Sequence, residues 1–195
     1  MSRQFEVERM ERLVGDIDKL RYPLSVPVVN YKMAEGKIAG GEHCDPSDWQ
    51  DYRIDTPWSS LEAHRWLRTG IDIPAEMDGR HVEFRLTSGR EGQWDATNPQ
   101  MIFYLNGELI QGVDVNHREV TISRCAHAGD HYEIAMLIYS GSVPGDLIIH
   151  SDLIVIDDAV QKFYYDFLIP VQSQAISMWV WPIALTRGAV SSTVV

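Results

Sequence analysis

Residues 100–117 have the sequence QMIFYLNGELIQGVDVNH, and this stretch decides the fold. In an extended chain alternate side chains share a face. Met101, Phe103 and Leu105 therefore fall on one side of the segment, and Ile102 and Tyr104 on the other. Asn106-Gly107 supplies the positive-φ pair that a two-residue hairpin loop requires. Residues 108–111 then return as the partner strand. Gly112 permits a bulge or a close backbone approach, and Asp114, Asn116 and His117 crowd polar groups beyond it. Similar strands flank this hairpin in sequence, so it is expected at the centre of an antiparallel sheet.

Upstream, Leu67, Thr69, Ile71 and Ile73 alternate with Arg68, Gly70 and Asp72. Val82, Phe84 and Leu86 alternate with Glu83 and Arg85, and downstream Val120 and Ile122 alternate with Glu119, Thr121 and Ser123. Residues 132–139 are apolar on both faces, which suits a central strand, and 147–156 form another. Residues 24–31 contain Pro27 and follow Pro23, so any strand there is expected at a sheet edge. About eight short strands joined by Gly-, Pro- and Asp-rich turns, without intervening helices, predict a mainly all-β fold. The expected form is an antiparallel β-sandwich or jelly roll of the galactose-binding-like kind, not a βαβ fold.

A helix is expected at each end of this sandwich. In residues 4–21, Phe5, Met10, Leu13, Val14, Ile17 and Leu20 recur at spacings of three and four, with charged residues between them. Such a helix packs one face on the sandwich or on a neighbouring domain. Its polar face is not dominantly basic, which argues against a membrane surface. After Asp157-Asp158 the period changes again, and Val160, Phe163, Tyr164, Phe167 and Leu168 mark a second helix. An aspartate near its N-terminus is favoured by the helix dipole, and Pro170 is expected to stop it. The expected organisation is a helix over 1–22, a sandwich over 23–156, and a helix with an apolar remainder over 157–195.

A chain of 195 residues suffices for one ordinary domain, or one with a fragment of another. At this size roughly 70% of the unfolded surface is buried, so no disulfide or metal is needed to hold a core. The balance of 17 basic against 28 acidic residues, a net −11, weighs against a nucleic acid or an anionic membrane as partner. Cys44 and Cys125 lie far apart and outside any C-x-x-C spacing. They read as free thiols in a reducing compartment, or as a single disulfide. The opening MSRQFEVERMERL lacks the apolar run of a signal peptide, and no apolar run approaches a membrane span. A cytoplasmic location is expected.

The sequence holds no Gly-rich phosphate loop, no G-x-S-x-G elbow and no H-E-x-x-H helix. Glu42, His43, Cys44 and Asp45 are adjacent in a loop, where side chains seldom converge on one ion. Gly129-Asp130 makes a turn between His127 and His131, so their four-residue spacing is not a helical ligand pair. The aromatics are more suggestive. Trp49, Trp58, Trp66 and Trp94 lie in or beside loops, together with Asp114, Asn116 and His117. Sugars stack on aromatic faces and form hydrogen bonds with planar polar groups, so Trp58, Asp114, Asn116 and His117 are the candidate carbohydrate-binding residues. Alternatively, the tryptophans fill the rim of a core or an interdomain contact, and the polar trio satisfies backbone groups at a bulge.

The order NG, then QG, then D-x-NH with Glu119-Val120 resembles the N-terminal β-sandwich of the glycoside hydrolase family 38 α-mannosidases, in the branch of cytosolic and bacterial enzymes. The resemblance extends to Glu8-Arg9 in the first helix, Thr56-Pro57-Trp58, Trp66-Leu67-Arg68 with Ile73-Pro74, and Tyr164-Tyr165-Asp166. It implies a sandwich preceding a catalytic domain that binds zinc and hydrolyses α-mannosides with retention, through an aspartate nucleophile. In that family a first strand carries H-x-H-x-D, whose second histidine and aspartate bind zinc, followed by W-x-W-P. Trp179-Val180-Trp181-Pro182-Ile183, with Thr186-Arg187, resembles that second stretch. The match puts Gln172 at the first histidine, and Gln174 and Ile176 at the zinc ligands. An amide is a poor zinc ligand and an isoleucine is none.

The resemblance therefore implies zinc in the parent family, and neither a metal site nor catalytic residues in this chain. The expected entity is an accessory sandwich plus a truncated stub of a catalytic domain, inactive alone. Its implied partners are carbohydrate (mannosides), a catalytic domain or other subunits. A stand-alone carbohydrate-binding module and a structural or oligomerisation domain are the alternatives.

Overall fold

In the computed structural model, residues 3–57, 61–88, 100–142 and 148–187 are described. Helix α1 (Arg3–Leu20) leads into β1 (Leu24–Pro27), β2 (Asn30–Glu35), β3 (Gln50–Arg53) and β4 (His64–Asp72). A single 3-10 turn (Ala75–Met77) precedes β5 (His81–Thr87), β6 (Gln100–Leu105), β7 (Glu108–Val113) and β8 (Glu119–Ser123). Then follow β9 (His131–Tyr139), β10 (His150–Ile156) and α2 (Asp158–Arg187). The strands form two antiparallel sheets, one ordered β1-β10-β5-β8 and the other β3-β2-β4-β9-β6-β7. The fold is an antiparallel jelly-roll sandwich with a helix at each end of the described chain.

The two sheets meet through the alternating apolar residues that the sequence displays. Phe84 of the four-stranded sheet and Phe103 of the six-stranded sheet are fully buried, with ring centroids 5.4 Å apart. Tyr31 on β2 bridges the sheets to Ser151 on β10 across 2.7 Å. Ser151 spends its only hydroxyl hydrogen on the Val28 carbonyl, 2.6 Å away, so Tyr31 is the donor. Burial holds the Tyr31 phenol far above its ordinary pKa, and it remains neutral.

The 100–117 hairpin forms as its residues dictate, with Asn106 at φ 52° and Gly107 at φ 81°. It is not central, however. β7 is the outer edge of the six-stranded sheet, and β4 and β9 run through the middle. β8 follows β7 in sequence but crosses to the other sheet, and β9 returns to pair with β6 on its far side. The bulge also falls elsewhere than Gly112. Phe103 opposes Gln111 and Tyr104 opposes Leu109, which leaves Ile110 as the extra residue. Residues 24–31 divide between the sheets. Pro27 ends β1, which is an edge strand as expected, whereas β2 lies between β3 and β4.

The chain divides into two compact units, one running Leu24–Ile156 and the other formed by the chain up to Pro23 together with that from Asp157 onward. In the helical unit the Asp157 carboxylate caps α2, accepting from the backbone N–H groups of Ala159 (3.1 Å) and Val160 (3.0 Å). Arg21, only 6% exposed, ties the end of α1 to the first turns of α2. Its guanidinium donates to Asp18 at 2.6 Å, to Gln161 at 3.0 and 3.1 Å, and to the Tyr165 hydroxyl at 3.3 Å. It also lies 4.5–5.1 Å from the ring centres of Tyr22, Tyr164 and Tyr165. Nothing in the spacing of apolar residues marked this arginine.

Contrary to expectation, α2 runs through Pro170. A proline forfeits one backbone bond, but its own φ is helical. Buried Val171 anchors the turn that follows, and the Ser173 hydroxyl donates to the Ile169 carbonyl at 2.9 Å. Along α1 the apolar positions are unevenly covered, with Val7 buried and Phe5, Leu13 and Leu20 exposed.

Candidate functional site

Strand pairing builds a site on the outer face of the six-stranded sheet. Directly paired residues share a face, so His64, Tyr139 and Gln100 form one row across β4, β9 and β6. Leu137, Ile102 and Gly112 form the next row across β9, β6 and β7. These two rows floor a cavity of about 780 Å³, with Lys37 on one side and Asp114, Asn116 and His117 on the other. The His64 and Tyr139 rings lie 4.9 Å apart between centres and are inclined at 34°. The centre of the floor is apolar and its ends are aromatic and amide.

The loop after β7 is shaped by Asp114. One carboxylate oxygen accepts from the backbone N–H groups of Asn116 and His117, each at 2.8 Å, and sits 3.1 Å from His117 Nδ1. Partial burial raises the carboxyl pKa, but these three bonds outweigh it and hold the group below its ordinary value. Asp114 is thus largely committed to holding the loop, while Asn116 and His117 remain exposed at the pocket rim.

Of the four residues singled out from sequence, the structure brings Asp114, Asn116 and His117 to one pocket, and Trp58 lies outside the described residues, as does Trp94. The sequence reading missed Lys37, His64, Gln100 and Tyr139. The strand register is the only signal that unites the last three.

Trp66 has a different role. It is 2% exposed and clusters with Ala135, Leu137 and the partly buried Trp49 and Ile38, while its Nε1 donates to the Ile38 carbonyl at 3.1 Å. The loop over residues 36–49 therefore seals part of this outer face. Within it, the Cys44 carbonyl accepts from Arg68, Asp45 accepts from the Ser47 N–H at 2.9 Å, and His43 abuts Gly107. Each group thus serves a different partner. Cys44 and Cys125 are both free thiols. Among the described residues no three His, Cys, Asp or Glu side chains converge on a metal position. No helix among them is long and apolar enough to cross a membrane.

His127 and His131 likewise take separate partners. His131 Nδ1 is 2.7 Å from Asp72 and its Nε2 is 3.0 Å from Glu133. The Glu133 and Asp72 carboxylates raise its pKa above the usual imidazole value. A raised folded-state pKa contributes stability that is complete below the unfolded value of about 6.5 and disappears as pH rises through the folded value. The margin of the native chain over His131→Gln in urea midpoint is thus expected to be largest below about pH 6.5 and to fade at higher pH. A margin constant with pH would refute this.

Two facing antiparallel sheets of this topology, with a polar-rimmed pocket on one of them, define a jelly-roll sandwich domain. Residues 22–143 match the family described as "Alpha-mannosidase, jelly roll domain", and the chain belongs to that family. A solved structure shares the fold. A glycosyl hydrolase family 2 member from Bacteroides cellulosilyticus DSM 14838 superposes with a TM-score of 0.51 at 16% identity, covering 67% of this chain and 20% of that one. The β-glucuronidase of Ruminococcus gnavus gives 0.49 at 13% identity, covering 70% of this chain and 30% of that one. The chain spans about a fifth of the first protein's length and under a third of the second's. No curated protein matches the sequence.

Proposed function

We propose that this chain is the N-terminal accessory jelly roll of an α-mannosidase-like glycosidase of glycoside hydrolase family 38. The parent activity is zinc-dependent, retaining hydrolysis of α-mannosides in glycan degradation, and this chain contributes no catalytic centre. The observation that carries the reading is the family match over residues 22–143. The sequence beyond it supports the inactive assignment, because Gln174 and Ile176 stand where the family has its zinc ligands. The backbone there is also part of α2, not the strand that bears those ligands in the family. In such an enzyme the sandwich would position domains, join subunits or touch substrate. The test is release of p-nitrophenol from p-nitrophenyl α-mannoside by the purified chain, with and without added zinc. We expect none above buffer, and robust turnover would overturn the reading.

A second reading, a stand-alone carbohydrate-binding module, is favoured by the pocket that gathers Asp114, Asn116 and His117. Saturable binding of mannose or galactose oligosaccharides by a chain without hydrolytic activity supports it. The absence of any binding up to millimolar sugar removes it.

A further inference from the structure

We propose that the pocket on the outer face of the six-stranded sheet binds an uncharged oligosaccharide longer than one sugar unit. In it Tyr139, with the His64 ring lying against it, is the stacking surface, and Gln100 and Asn116 are the hydroxyl partners. This rests on the carbohydrate-binding reading and moves the centre of that site from the Asp114 loop to the strand ends. A pyranose presents an apolar C–H face ringed by hydroxyl groups. The cavity offers the complementary pattern, an apolar and aromatic floor of Ile102, Leu137, Tyr139 and His64 edged by two planar amides.

Its volume of about 780 Å³ lies within the range of about 300–1,000 Å³ found for small-ligand sites and exceeds what one hexose fills. Among the described residues the rim carries one charge of each sign, Lys37 and Asp114, and the carboxylate is bonded into its own loop. The local field therefore does not select an anion. Gly112 is the telling position. A Cβ there would meet nothing closer than the Met101 carbonyl oxygen at 3.9 Å, and the φ of Gly112 is not positive. The backbone does not demand glycine, and what its missing side chain provides is open floor beside Ile102.

The test is calorimetric titration of the full chain with mannose, α-linked mannobiose, α-linked mannotriose and glucuronic acid. Saturable binding is expected for the two oligosaccharides, tighter than for the monosaccharide or the uronic acid. Tyr139→Ala is expected to weaken it about tenfold, the loss of one stacked ring. Gly112→Trp fills the floor and is expected to abolish it, with the urea midpoint of each variant measured to confirm folding. Absence of binding by the native chain overturns the proposal, as does native affinity in folded Gly112→Trp. Loss in Asn116→Ala with native affinity in both Tyr139→Ala and Gly112→Trp also overturns it, and leaves a loop-centred site standing. None of these outcomes bears on the accessory-domain reading, which the p-nitrophenol assay judges separately.

Discussion

Phe103→Ala is expected to destabilise the sandwich by about 3–5 kcal/mol, read as a lower urea midpoint with an unchanged slope. Phe103 is fully buried on β6, and its ring lies 5.4 Å from that of Phe84 on the facing sheet. Truncation removes the transfer energy of the ring and leaves a cavity that two hydrogen-bonded sheets cannot close. Ile102, the next residue on the strand, is 39% exposed on the opposite face. Ile102→Ala is expected to cost less than about 1 kcal/mol. The contrast matters more than either value, because a one-residue slip in register would exchange the two positions. Equal effects, or the reverse order, would show that β6 is paired differently from this account.

Gly41→Ala is expected to cost about 1–3 kcal/mol, although it adds only a methyl group. A Cβ at Gly41 would sit 2.4 Å from Trp66 Cε2 and 2.7 Å from Trp66 Nε1. The indole cannot swing aside cheaply, being 2% exposed and donating to the Ile38 carbonyl of the same loop. The loop must lift instead, which exposes Trp66. The expected signature is a red shift of tryptophan emission with loss of stability. Native emission and native stability in Gly41→Ala would mean that the loop does not seal this face.

What could be read from the sequence was what is local. Asn106-Gly107 fixed a hairpin because positive φ is a property of two adjacent residues. The Asp114, Asn116 and His117 cluster was visible for the same reason, since its three hydrogen bonds span a few residues. Strand order was not visible. Periodicity gives β6 and β9 their faces but does not say that β9 separates β6 from β4, so the hairpin was placed centrally and lies at an edge. His64, Tyr139 and Gln100 were missed because only pairing across three distant strands makes them neighbours. Trp66, which by its place beside a loop could have served either sugar stacking or a core, is core beneath that loop. Pro170 misled because the penalty on an internal proline is a local preference, and α2 continues through it with the following Val171 buried.

Taken together, the two proposed readings have this sandwich hold sugar without cleaving it. Saturation-transfer difference NMR on the full chain with α-linked mannotriose and added zinc tests both halves in one sample. The account predicts saturation transferred to the sugar ring protons while the anomeric signals keep their positions and intensities over hours. Growth of free-mannose anomeric signals, or no transfer at all, would contradict it.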